Sequence, residues 1–137
     1  MRAVIYVCSV IALAILPACS DDSGQPPPEG PSDLILPLGG SAVAPGTSIR
    51  VTFAEVLEDS RCPVDVTCFQ AGNGQVLIRV REGDDDDDSR LILNTTEGPR
   101  TATFDEWRFE LTELDPEPHT GRQTPPDYRI TLRVSSK

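Results

Sequence analysis

Basic charge, histidine and aromatic side chains are all scarce in this sequence. It carries 12 Lys and Arg against 22 Asp and Glu, a formal net charge of −10, and one histidine. A surface so acidic repels nucleic acid and anionic headgroups, so no nucleic acid partner is expected. His119 and four cysteines do not supply the four clustered soft ligands of a zinc site. The cysteines also lack the Cys-x-x-Cys spacing more typical of a catalytic dithiol. No apolar run is long enough to cross a bilayer as a helix. Residues 19–137 keep no 3.6-residue apolar period, and no segment repeats. No cofactor is expected.

What is present begins with one charge, Arg2, followed by an apolar run from Ala3 to Leu16, the layout of a removable export signal over residues 1–18. The run ends in Leu16-Pro17-Ala18-Cys19, which resembles the bacterial lipobox, with Pro17 a less usual residue at the tolerant position. The resemblance implies cleavage after Ala18 and lipidation of Cys19. The acyl chains, at about 0.8 kcal/mol per buried methylene, would then hold the protein on a membrane, facing the periplasm or the cell surface. The alternative is ordinary signal cleavage near Ala18 with a free Cys19 thiol. Loss of Arg2 with the leader takes the basic count from 12 to 11 against 22 acidic residues, a net charge of −11. Residues 19–32 hold no apolar side chain larger than proline after the cysteine and read as a disordered Pro/Gly/Asp tether. Fully extended, it would reach about 40 Å.

A folded domain is expected over residues 33–137. Strand-sized segments recur between Gly, Pro and Asp-rich turns. Leu34 to Leu38 contains Pro37, which has no amide hydrogen and belongs on a sheet edge. Ile49, Val51 and Phe53 alternate with Arg50 and Thr52, and the phase slips at Ala54-Glu55 as a bulge would make it. Val76, Ile78 and Val80 form a second apolar face, with Leu77 breaking the polar one. Leu91 and Leu93, then Thr101 to Phe104, then Trp107, Phe109 and Leu111, then Tyr128, Ile130, Leu132 and Val134 complete the pattern. Seven to eight strands with one apolar face each predict an all-β fold, an antiparallel β-sandwich of immunoglobulin-like architecture. A small β-barrel would use the same pattern.

The stretch Glu58 to Gly74 interrupts two of these strands. With Cys8 in the leader and Cys19 at the anchor, Cys62 and Cys68 remain as an even pair, expected to be a disulfide in an oxidising compartment. Closing so short a loop is worth roughly 2 kcal/mol in chain entropy. The run Asp59-Ser60-Arg61-Cys62-Pro63, then Cys68-Phe69-Gln70-Ala71-Gly72, is similar to a family of small secreted and lipidated bacterial proteins whose core reads Asp-Ser-Arg-Cys-Pro, then Cys with an aromatic residue and Trp-Ala-Gly. The resemblance extends to Leu114-Asp115-Pro116 and Asp127-Tyr128. It reinforces the β fold and the disulfide and implies no activity. Gln70 stands where the pattern has Trp: if that Trp serves a ligand shared by the family, this chain has lost it; if it is a packing residue, Phe69 or Trp107 is expected to replace it. As a candidate recognition loop the stretch offers Asp59, Arg61, Asp65 and Gln70 to a partner. As plain structure, Arg61 pairs with a nearby carboxylate.

No nucleophile, base or carboxylate pattern identifies a reaction, so the leading expectation is a non-enzymatic cell-envelope lipoprotein acting as a binding or structural accessory module, with an envelope protein or small ligand as partner. A small extracytoplasmic enzyme using carboxylates and His119 is the alternative. Another is a calcium binder or sensor, for which Asp84, Asp86 and Asp88 are the weak candidates. A consecutive Asp run sends alternate side chains apart, so no metal site is expected. A calcium titration followed by melting temperature should accordingly show no shift at about 1 mM calcium; a clear rise would establish a specific site.

Overall fold

The alternating segments become eight strands: β1 (Ser32–Pro37), β2 (Ser41–Val43), β3 (Ile49–Asp59), β4 (Gly74–Glu82), β5 (Ser89–Asn94), β6 (Thr101–Phe104), β7 (Trp107–Asp115) and β8 (Arg129–Ser136). They come from a computed structural model that describes residues 30–83, 87–121 and 127–137. Residues 1–29, which hold the expected leader, Cys19 and most of the tether, lie outside the described residues, as do Asp84 and Asp86; Ser32, expected to end the tether, instead begins β1, one residue before the expected domain start.

All pairings are antiparallel, in two four-stranded sheets ordered β1-β8-β7-β6 and β2-β3-β4-β5. The fold is an antiparallel two-sheet β-sandwich and not a closed barrel. Pro37 sits on edge strand β1, where a missing amide costs no ladder bond. The chain passes between sheets at Leu38-Gly39: Leu38 N donates to Tyr128 O and Gly39 N to Phe53 O, both at 2.8 Å. The slip at Ala54 is a register shift between Phe53 and Glu55, and a second follows between Val56 and Glu58. These shifts let β3 run through Glu58 and Asp59, so the predicted connection is strand at both ends and the loop proper spans residues 60–73.

The core lies between the sheets. Val51, Phe53, Val76, Ile78, Val80 and Leu93 from one face meet Leu34, Leu36, Phe109, Leu111, Ile130, Leu132 and Val134 from the other. Each such side chain contributes about 1.5–3 kcal/mol on burial. Trp107 is half-buried and packs at the margin of this cluster. Leu77 points to the outer face yet is buried, seated between its cross-strand partners Glu55 and Ile92.

The strand register gives the sandwich two distinct ends. Ser32, Val134 and Ser136 pair near Trp107 at one end, together with the β4–β5 turn, whose Gly83 N donates to Ser48 O. Pro37, Arg129 and Asp115 mark the other end, where the loop of residues 60–73 lies. The neck of that loop closes tightly at Gly72, whose φ of 69° belongs to the left-handed region. A Cβ there would fall 1.7 Å from Ser60 O, whereas Gly39, with φ of 78°, has nothing within 4 Å. Gly39→Ala should therefore cost about 1–2 kcal/mol, and Gly72→Ala at least about twice that, because backbone must move. Urea unfolding of the two variants checks this, and equal losses would mean the neck yields freely.

Candidate functional site

Loop 60–73 is held by three sets of contacts. The first is the Cys62–Cys68 disulfide, with Cα atoms 5.9 Å apart. Below it the strand ladder continues into the neck, where Ser60 N donates to Asn73 O and Cys62 N to Ala71 O, each at 2.7 Å.

The second set centres on Arg61. Its Nε donates to Asp59 Oδ1 at 2.7 Å and its Nη2 to Asp59 Oδ2 at 2.8 Å, a bidentate pair. Nη1 donates to Leu114 O, and Nη2 also to Pro116 O at 2.9 Å. Tyr128 Oη donates to Asp59 Oδ2 at 2.9 Å. Asp59 and Arg61 belong to the β3–β4 side, whereas Leu114, Pro116 and Tyr128 belong to the β7–β8 side, so the clamp ties one sheet to the other. Burial pushes the Asp59 carboxyl up, but the hydrogen bonds from Arg61 and Tyr128 and the charge of Arg61 outweigh it, and the net shift is down from 3.8. Burial, with the bond to Asp59, raises the Tyr128 phenol to about 12.

The third set latches the loop to residues 116–121. Val64 N donates to Pro118 O at 3.0 Å, and Asp65 accepts from Thr120 N at 2.9 Å and from Thr120 Oγ1. The Thr120 hydroxyl, then its amide, holds the Asp65 carboxyl below its ordinary value. Beside the neck, buried Asn73 donates from Nδ2 to Asn94 Oδ1 at 2.9 Å, and its Oδ1 accepts the amides of Thr96 and Glu97, each at 3.2 Å.

The four predicted recognition residues therefore divide. Asp59 and Arg61 face each other, each only about one-seventh exposed at 14% and 13%, and are engaged internally. Asp65 is exposed but bonded to Thr120, and Gln70 is exposed. Phe69 does not fill the space a Trp at position 70 would occupy: it is fully exposed, at 103%. Trp107 cannot do so either, because it begins β7 while the clamp sits at that strand's other end. Val64 and Val66 are exposed on the same loop.

Next to the clamp is an open groove of about 610 Å³, lined by Arg61, Arg100, Glu113, Asp115, Glu117 and His119 among others. Arg100 Nη2 is engaged with Leu111 O at 3.2 Å. Among the described residues, no hydrogen bond joins a serine, threonine or cysteine to His119, and no group of three His, Cys, Asp or Glu could hold a metal ion. Asp88 pairs with Arg79 at 3.6 Å.

Sequence reasoning missed the roles of Tyr128, Asn73 and Thr120. Tyr128 read as a core residue because its ring follows the alternation, and only the position of its hydroxyl reveals the second role. The three stretches quoted for the family resemblance, around Asp59, Leu114 and Tyr128, meet at this clamp. No protein-family model, no curated protein and no solved structure matches the chain.

Because Asp59 has a lowered folded value, its contribution is present above the unfolded value of 3.8 and lost as pH falls through the folded one. Wild-type stability from urea melts should be flat above about pH 5 and fall below it. Asp59→Asn should cost roughly 1.5–3 kcal/mol at neutral pH and flatten the acid limb. An unchanged limb would assign the acid sensitivity to other carboxylates.

Proposed function

We propose that the chain is a lipid-anchored, non-enzymatic accessory module of a bacterial cell envelope that binds a partner through its stapled loop. The observation that carries this reading is the placement of the loop. Chain entry at Ser32 and the loop of residues 60–73 occupy opposite ends of the sandwich. The nine residues of β7 set these ends about 26 Å apart at ~3.3 Å per residue. An anchor at Cys19 followed by a flexible tether would hold the entry end toward the membrane and turn the loop outward. The internal bonds of the clamp favour a binding surface over a reacting one, since Asp59 and Arg61 have their hydrogen-bonding capacity directed into the fold.

Intact-mass analysis of the mature protein from a lipoprotein-processing bacterium tests the anchor. The expected mass is that of residues 19–137 plus a diacylglyceryl group, usually with an additional acyl chain. Cys19→Ser should remain unacylated and leave the membrane fraction. A mature chain with a free Cys19 thiol would remove the anchored reading.

A further inference from the structure

We infer that Phe69 is the anchor side chain of an interface with a protein whose binding site is an apolar pocket rimmed by Lys and Arg. The inference rests on the reading of the domain as a binding module and names the partner's chemistry. Three apolar side chains within six positions are exposed on one loop, Val64 at 50%, Val66 at 45% and Phe69 at 103%. The loop cannot fold them inward, because the disulfide, Arg61 and the Asp65–Thr120 latch fix it from three sides. An aromatic ring on a preorganised loop is the arrangement that supplies most of the affinity in protein interfaces, since little ordering remains to be done on binding.

Charge selects the partner. Asp65 on the loop and Glu58, Glu97 and Glu117 on the segments bordering it are exposed. The nearest guanidinium, Arg61, is turned inward onto Asp59, Leu114 O and Pro116 O. This acidic border disfavours an anionic lipid surface and equally disfavours a second copy of the same chain, which would bring like charges together. A basic rim around an apolar pocket satisfies both features.

The test places a photocrosslinking benzoylphenylalanine at position 69 of the full-length chain in its lipoprotein-processing host. Parallel probes go at Ile35, exposed on β1, and at His119, beside the groove. The expected result is an adduct from position 69 that mass spectrometry maps to an apolar, Lys/Arg-rimmed site on one protein. With both proteins purified, Phe69→Ala, melting like wild type, should weaken Kd by about 10 to 100-fold. Binding should also be weaker at about 1 M than at about 0.01 M ionic strength. An adduct to lipid or to a second copy, or a Kd indifferent to Phe69→Ala, would overturn the inference. Adducts from position 35 or 119 but not 69 would overturn it while leaving the binding module in place, whereas no adduct from any position would remove both.

Discussion

The arrangement at the loop end depends on one ion pair and the carbonyls it reaches. Arg61 offers its planar fork to Asp59 and the other side of that fork to Leu114 O and Pro116 O, so one guanidinium closes contacts among residues 2, 53 and 55 positions away in sequence. Partial burial of a charge is costly unless its donors are matched. Here the carboxylate of Asp59 is matched in turn by the Tyr128 hydroxyl. A lysine would place its charge nearby but could not span carboxylate and carbonyls with a rigid fork. The two sheets share an apolar core along their length, and this polar clamp fixes how their ends meet.

Much of the sandwich was legible because strand burial has a period of two. Val51 and Phe53, or Ile130, Leu132 and Val134, announce an inward face without knowledge of their partners. Pro37 announced an edge through its missing amide, and the slip at Ala54-Glu55 announced a bulge. Which strands pair, and in which order, is set by contacts remote in sequence. The pairing of β1 with β8 joins residues about a hundred positions apart, and no local pattern encodes it. The site was less legible for a related reason. Asn73 reads as an ordinary turn residue beside Gly72 and Gly74, yet it accepts amides from Thr96 and Glu97 and orders a loop more than twenty residues away. Phe69, expected to replace the Trp of the family pattern if that Trp is a packing residue, is instead fully exposed.

The contrast between the loop's base and its tip follows from this geometry. At the base, polar groups are matched within the fold, with bonds to Asp59, Tyr128, Leu114 O and Pro116 O. At the tip, apolar groups are left in water. A loop free to relax would reverse this, collapsing its phenyl ring and valines onto the sandwich to recover the hydrophobic free energy of burial. The disulfide and latch prevent that collapse, and with Arg61 at the base they hold the loop so that Phe69 stays exposed.

That coupling bears on how the loop can act. A segment that orders on binding gives up about 0.5–1.5 kcal/mol for each rotamer-rich side chain it immobilises, whereas here the backbone is ordered before any encounter. Phenylalanine itself has only two side-chain torsions to fix. For the proposed interface, weakening the clamp would therefore lower affinity without touching a contact residue, because the free protein would spend part of its time with the tip misplaced. Stability at the base and the proposed binding at the tip would thus both follow from one arrangement. Asp59 and Arg61, which the sequence offered as recognition residues, would act on the proposed interface by holding the loop that presents Phe69.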